Sequence, residues 1–290
     1  MLKVSGFTFI RNAICYDYPV VEAISSILPV CDEVVVAVGK SEDDTLDLVR
    51  SIHPDKVRVV ETTWDDSLRK GGAVLAVETN KALAAVAPDA DWAFYIQADE
   101  VLHEQYVPGL KKVMETWKDD KRVEGLVFDY RHFYGSYDYI GDSRRWYRRE
   151  VRVVRPAQGI YSFRDAQGFQ KDGRPLKVKH ADAVIHHYGW VRPPDKQQER
   201  QVAFHSLWHD DAWVDENVRV YDQFDYSGID SLTRYEGTHP AVMLDRISRM
   251  NWQFSFDPSQ KKLSMKSRIL QWVFRLTGWR IGEYRNYRVI

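Results

Sequence analysis

The stretch Asp91-Trp92-Ala93-Phe94-Tyr95-Ile96-Gln97-Ala98-Asp99-Glu100 sets a short hydrophobic run directly before a pair of carboxylates. A run of this length, rich in aromatic residues, predicts a buried strand over Trp92 to Ile96 that delivers Asp99 and Glu100 into a loop at its carboxyl end. Adjacent phosphates need their charge neutralised, and carboxylate oxygens at a strand end suit a hard cation such as Mg²⁺ or Mn²⁺ that does this. The plainer alternative is a solvated acidic turn.

Upstream, the chain alternates. Leu2 to Ile10 predicts a first strand, Pro19 to Leu28 a helix, Glu33 to Val38 a second strand with the run Val34-Val35-Val36-Ala37-Val38, and Thr45 to Ile52 a second helix. Lys56 to Glu61 predicts a third strand, and Gly71 to Ala87 an Ala-rich helix stopped by Pro88. This order implies an α/β fold, a mostly parallel sheet flanked by helices whose ligand crevice opens at the carboxyl ends of the strands. Gln97 to Glu100 lies at such an end.

Downstream, Pro108 to Trp117 predicts a helix, and Gly125 to Tyr134 and Glu150 to Arg155 predict strands of a mixed-sheet extension. Pro194 to Trp213 predicts a polar helix, and Lys261 to Thr277 a basic amphipathic one. The expected division is a catalytic domain over 1–193, with a nucleotide-sugar half (1–104) and an acceptor half (105–193), and a helical extension over 194–290 packed on it.

Composition narrows the function. Lys+Arg 41 against Asp+Glu 42 gives no basic field to recruit nucleic acid. Cys15 and Cys31 are too few for a disulfide scaffold or a structural zinc site and suit a reducing, cytoplasmic setting. The first ten residues do not read as a signal peptide, and no run is apolar for long enough to span a bilayer.

The quoted stretch resembles the family 2 glycosyltransferases of GT-A fold, whose fourth strand ends in Asp-x-Asp or Asp-Ala-Asp-Glu. Asn12 after the first strand, Cys31-Asp32-Glu33-Val34-Val35-Val36 and Ser41-Glu42-Asp43-Asp44-Thr45 extend the resemblance over roughly the first hundred residues. It implies a nucleotide-diphosphate sugar donor bound around Asn12, Gly39, Asp43, Gln97, Ala98 and Asp99, with Asp99 a ligand of Mn²⁺ or Mg²⁺. Two positions depart from the family. Val38-Gly39-Lys40 stands where an Asp contacts the nucleoside, and Gln97 replaces the first Asp of the motif, so its contact becomes ribose or a metal-bound water.

Arg164-Asp165 and His186-His187-Tyr188-Gly189 resemble a bacterial subgroup of lipopolysaccharide-core type, in which a His-Glu pair precedes a His-Tyr pair by about twenty residues. The resemblance implies Asp165 as the catalytic base, His187 as a residue reaching the metal or diphosphate, and an inverting mechanism. The alternatives are a surface or capping role for Asp165, as for Asp129, Asp172 and Asp182, and a core role for His187. His205 and His209, at helical i,i+4 spacing, lack the Glu that a zinc motif would carry between them and read as an exposed face.

Arg144-Arg145 and Arg148-Arg149, interleaved with Trp146 and Tyr147, suit a phosphate or lipid-linked acceptor, or a solvated loop. The 261–279 run suits peripheral contact with the inner face of the cytoplasmic membrane, or a helix packed on the catalytic domain. The expected activity is transfer of a sugar from its nucleotide to a glycan or lipid-linked saccharide acceptor. The rival is a non-catalytic sugar- or nucleotide-binding protein on a degenerate form of the same fold.

Overall fold

The computed structural model describes residues 2–68, 70–219 and 221–290, with Lys70 by its backbone alone. The first part runs β1 (Val4–Ile10), α1 (Val20–Ile27), β2 (Glu33–Gly39), α2 (Thr45–Ile52), β3 (Val57–Thr62), α3 (Ala73–Ala84) and β4 (Trp92–Tyr95). β3, β2, β1 and β4 pair in that spatial order, all parallel.

The valine run of β2 is buried on both faces, as its lack of alternation predicts. Val34, Val36 and Val38 pack with Ala23, Ile24 and Ile27 of α1. Val35 and Ala37 turn to the opposite layer, with Ala82 and Leu83 of α3. Each such valine taken from water contributes roughly 1.5–3 kcal/mol, so this strand fixes the two-layer arrangement. β4 repeats the pattern, Trp92 and Phe94 on one face and Ala93 and Tyr95 on the other.

The helix expected from Gly71 starts at Ala73, because Gly71 and Gly72 adopt φ of 64° and 70°, outside the helical region. A Cβ on Gly72 would stand 3.2 Å from both Asp165 and Trp208, so the bare backbone here lets two distant segments close over α3.

The sheet then continues with β5 (Glu100–Leu102), α4 (Val107–Trp117), β6 (Gly125–Tyr134), β7 (Ser136–Gly141), β8 (Arg149–Val154), β9 (Ile160–Phe163), β10 (Gly168–Lys171) and β11 (Arg174–Trp190). β8 pairs antiparallel with both β4 and β6, and β6 runs parallel to β11, giving the main order β3-β2-β1-β4-β8-β6-β11-β10-β9. β5 lies antiparallel along β11, with Glu100 opposite His187, and β6 places His132 opposite the same residue. One register thus brings the acidic loop and two histidines together.

The C-terminal part comprises α5 (Pro194–Ser206), α6 (Asp211–Asn217), β12 (Leu232–Arg234), α7 (Leu244–Ser248), α8 (Met265–Thr277) and β13 (Tyr287–Val289). Two expectations are corrected here. The single helix over Pro194 to Trp213 is two, because the Asp210 side chain accepts a hydrogen bond from Trp213 N at 2.9 Å and caps a new helix. The 194–290 segment is also more than helical, since β12 adds to β7 and β13 lies parallel to β11. Among the described residues no helix is long and apolar enough to cross a membrane.

Candidate active site

A cavity of about 320 Å³ opens at the carboxyl ends of β1 and β4. Asn12, Gln97, Ala98, Asp99, Asp165 and His187 all line it, joined by Arg11, Tyr18, Trp64, Tyr147, Arg200 and Phe204. α5 supplies Arg200 and Phe204, so the segment beyond residue 193 forms one wall of the cavity.

Gly39 and Asp43 are not among the lining residues. At Gly39 a Cβ would come within 2.4 Å of Trp64 Nε1, so the indole covers the end of β2. Asp43 is engaged in loop architecture. Its carboxylate accepts from Cys15 N at 2.7 Å, from Thr45 N at 3.1 Å and from the Thr45 hydroxyl. Asn12, buried at φ 54°, accepts from Glu42 N at 2.9 Å and donates its own N–H to Ser41 Oγ at 3.0 Å. These bonds knit the loop after β1 to the loop after β2, and they occupy the residues of the Ser-x-Asp-x-Thr resemblance.

Asp99 and Glu100 are both buried, so the solvated-turn alternative fails. They do different work. Glu100 forms a two-point ion pair with Arg152, at 2.7 and 2.8 Å, with both side chains fully buried. It also accepts from Tyr130 Oη at 2.7 Å and Gln97 N at 3.1 Å. Arg152 in turn donates to the Gln167 carbonyl at 2.9 Å. Glu100 is therefore used up inside the protein, and Asp99 faces the cavity.

The Asp99 carboxylate has His187 Nε2 at 3.6 Å on one oxygen and Arg200 Nη2 at 3.6 Å on the other. Burial alone would raise its pKa; a protonated His187 would do most to offset this, followed by Arg200 and Arg192, and the balance lies below the ordinary carboxylate value. Arg192 is buried and stacks near Tyr18 at 4.9 Å, with burial lowering its pKa to about 10, and its Nε and Nη2 have no partner among the described residues. Arg200 donates to Tyr18 Oη at 3.0 Å.

The proton positions on the histidines follow from their contacts. His132 Nε2 lies 2.7 Å from the Tyr147 carbonyl, which only accepts, so that nitrogen carries a hydrogen. His132 Nδ1 and His187 Nδ1 are 3.0 Å apart, and one proton lies between them. Were it on His132, that ring would be a cation buried near Arg152 and Arg280; burial, and then these neighbours together with His187, instead hold its pKa far below normal. The proton therefore sits on His187 Nδ1. Burial outweighs the pull of Asp99 and keeps His187 neutral as well. His187 Nε2 is then a bare lone pair directed at a carboxylate oxygen.

Two acceptors facing each other at 3.6 Å leave a place for a cation. Gly189 keeps that place clear, since a Cβ there would stand 2.7 Å from His187 Nε2 and 2.9 Å from Asp99 Oδ2. The donor set, one carboxylate and one imidazole held by a second histidine, fits a divalent ion whose other ligands come from substrate and water. Among the described residues no group of three or more His, Cys, Asp or Glu side chains converges to hold an ion by itself.

No protein-family model matches the sequence, and no curated protein matches it. Solved structures do. S. aureus TarS aligns at 14% identity over 76% of this chain, with a TM-score of 0.42, and this chain spans 41% of the length of that one. The TarS 1-349 structure in complex with UDP aligns at 14% identity over 76% of this chain and 68% of that one, with a TM-score of 0.43. Glucosyl-3-phosphoglycerate synthase from Mycobacterium tuberculosis, in complex with Mn²⁺, UDP and glucosyl-3-phosphoglycerate, aligns at 20% identity over 46% of this chain and 45% of that one, with a TM-score of 0.31.

Asp165 occupies the turn between β9 and β10, flanked by Arg164 at φ 56° and Ala166 at φ 62°. The residue is half-buried on the cavity wall, and its carboxylate has no hydrogen-bond or ion-pair partner among the described residues. Gln97 holds this turn, donating from Nε2 to the Ala166 carbonyl at 3.4 Å. The Gln in place of the motif's first Asp thus braces the Asp165 turn.

Three of the four arginines around the start of β8 are tied down, and Arg145 alone is exposed. Arg148 pairs with Glu283 at 2.8 Å, Arg149 with Asp129 at 2.6 Å, and Arg144 donates to the Ile281 carbonyl. His209 stacks on Trp213, and His205 lies tilted against the same ring. His132, Trp64, Arg192 and Arg200 were not singled out from the sequence. The only sequence signal for any of them was the polar helix that carries Arg200.

Proposed function

We propose that this chain is a GT-A glycosyltransferase that moves a sugar from a nucleotide-diphosphate donor to a glycan or lipid-linked saccharide acceptor. The observation that carries the reading is the pair of facing acceptors, Asp99 Oδ1 and His187 Nε2 at 3.6 Å, at the carboxyl end of β4. Asp99 and His187 would hold Mn²⁺ or Mg²⁺. Bound there, the ion neutralises the charge that develops on the departing diphosphate.

The remaining roles belong to the chain itself. Arg200, on the same wall, adds a second cationic centre beside the diphosphate. Trp64 and Phe9, with ring centroids 5.8 Å apart, offer the nucleoside an aromatic wall where the family has an Asp. Asp165 accepts the acceptor hydroxyl's proton as that oxygen attacks the anomeric carbon, which places base and leaving group on opposite sides and inverts the configuration. The buried setting of the site restricts water, which would compete as acceptor.

Thermal-shift measurements with UDP, GDP, CMP and dTDP, each with Mn²⁺, Mg²⁺ or EDTA, test this on wild type and Asp99→Ala. A ligand that binds only the folded state raises its stability in proportion to the logarithm of its concentration over Kd. The expected result is stabilisation by one nucleotide, dependent on metal and lost in the variant. Failure of every nucleotide under every condition overturns the proposal. Metal-dependent nucleotide binding with no transfer to any acceptor would favour the binding-protein reading.

A further inference from the structure

α8 has two apolar faces, and only one of them meets the protein. Leu270, Val273 and Phe274 are half-buried toward the body, where Phe274 lies under the Arg148 guanidinium at 4.7 Å and Gln271 donates to the Asp142 carbonyl at 2.9 Å. Met265, Ile269, Trp272 and Leu276 form the second face, with exposures of 71, 57, 62 and 65%, and Trp279 continues the line just past the helix. Steps of three and four residues put these side chains on one stripe. The helix packed on the domain, expected as one of two alternatives, accounts for the first face and leaves the second uncovered.

The charge along that segment of chain has one sign. From Pro258 to Gly282 there is no Asp or Glu, while Lys261, Lys262, Lys266, Arg268, Arg275 and Arg280 are all present in a chain of net charge −1. Among the described residues no ion pair is formed by Lys266, Arg268 or Arg275. The helix is well terminated. The Ser264 hydroxyl accepts from Ser267 N at 3.2 Å, and Gly278, at φ 67°, donates its N–H to the Phe274 carbonyl at 2.8 Å.

We propose that α8 lies flat on an anionic lipid bilayer, with Met265, Ile269, Trp272, Leu276 and Trp279 at the headgroup–acyl boundary and Lys266, Arg268 and Arg275 on the lipid phosphates. A helix of this length covers about 20 Å of membrane surface. Tryptophans on an apolar face beside unpaired cations match the polarity gradient of a bilayer interface. A second copy is the poorer occupant, because pairing two such stripes sets cations against cations with no carboxylate in the segment to offset them.

The test is flotation of the whole protein with vesicles of phosphatidylcholine alone and of phosphatidylcholine mixed with phosphatidylglycerol. The expected result is binding to the mixed vesicles, weakened by salt, and little binding to the neutral ones. Ile269→Glu combined with Trp272→Glu should abolish it, and Lys266→Gln with Arg268→Gln should lower affinity by about tenfold or more. All four positions are solvent-facing, so the thermal midpoints should stay at the wild-type value, which separates lost docking from lost fold. No flotation of wild type on mixed vesicles, or equal flotation of the variants, overturns the proposal. A dimer seen by sedimentation that the Ile269→Glu, Trp272→Glu variant dissolves would overturn it in favour of a second copy.

Discussion

His132 and His187 meet Nδ1 to Nδ1 at 3.0 Å across the parallel pairing of β6 and β11. The outer nitrogen of His132 is committed to the Tyr147 carbonyl, and its ring is stacked on Tyr130 and Trp146 with centroids 5.5 and 5.1 Å away. His132 thereby fixes which nitrogen of His187 is bare, 55 residues away in sequence.

Replacing His132 with Phe preserves the ring stack and removes the acceptor for His187 Nδ1–H. Metal affinity in the presence of nucleotide should fall by about 10–100-fold, the usual effect of losing a partner that orients a ligand. Mn²⁺ titration followed by electron paramagnetic resonance reads the affinity, and ¹⁵N shifts of the His187 ring read its tautomer. Unchanged values in both would mean that His132 only packs.

Asp165→Asn should lower turnover by about 10²–10⁴-fold, the range for losing a general base, while the nucleotide-induced thermal shift stays as in wild type. Release of nucleoside diphosphate from the donor identified by thermal shift is the assay. A variant within a few fold of wild type would move the base to another residue.

Breaking the buried pair between Glu100 and Arg152 should be costly on either side. Glu100→Gln or Arg152→Met is expected to destabilise the protein by about 3–5 kcal/mol, because each leaves a buried charge or its hydrogen bonds without a partner. Urea unfolding measures this. The double variant should lose less than the sum of the two, and strict additivity would show that the residues act independently.

Glu150 gives the stability a pH dependence of its own. Its carboxyl is buried, and burial raises its pKa from 4.5 to about 7, with Gln167 and Asn286 amides donating to it at 2.9 and 3.0 Å. The folded protein therefore keeps a proton that the unfolded chain releases above pH 4.5. The associated stability is complete below that pH and is lost as pH rises through 7. Glu150→Gln should remove the slope and leave the variant more stable than wild type at pH 8 by up to about 3 kcal/mol, with little difference at pH 4. Thermal or urea unfolding across this range checks it; parallel curves for the two proteins would contradict the prediction.

The order from β1 to β4 was legible because Val34 to Val38 and Trp92 to Ile96 are buried on both faces, and burial of that kind writes itself as continuous hydrophobic sequence. β11 was not, since Lys177, Lys179, His180 and Asp182 interrupt its apolar residues and it is irregular against β6 between His180 and Val184. β5, three residues long, carries too little pattern to read. Asp99, Asp165 and His187 were singled out by motif spacing, and all three line one cavity. Their partners were not, because Trp64, His132, Arg192 and Arg200 gain their roles only from register and packing between segments far apart in the chain. Nor was the loop-tying work of Asp43 legible, since a carboxylate that ties loops and one that meets a ligand look alike in sequence.

Arg152 grips Glu100, in the loop that carries Asp99, and the Gln167 carbonyl, in the turn that carries Asp165. One guanidinium therefore clamps the two opposing jaws of the cavity to a common post. A graft that exchanges the β9–β10 hairpin would have to bring its own carbonyl to that post, and an insertion in the hairpin would be felt in the Asp99 loop as well. The two halves of the pocket cannot be retuned one at a time.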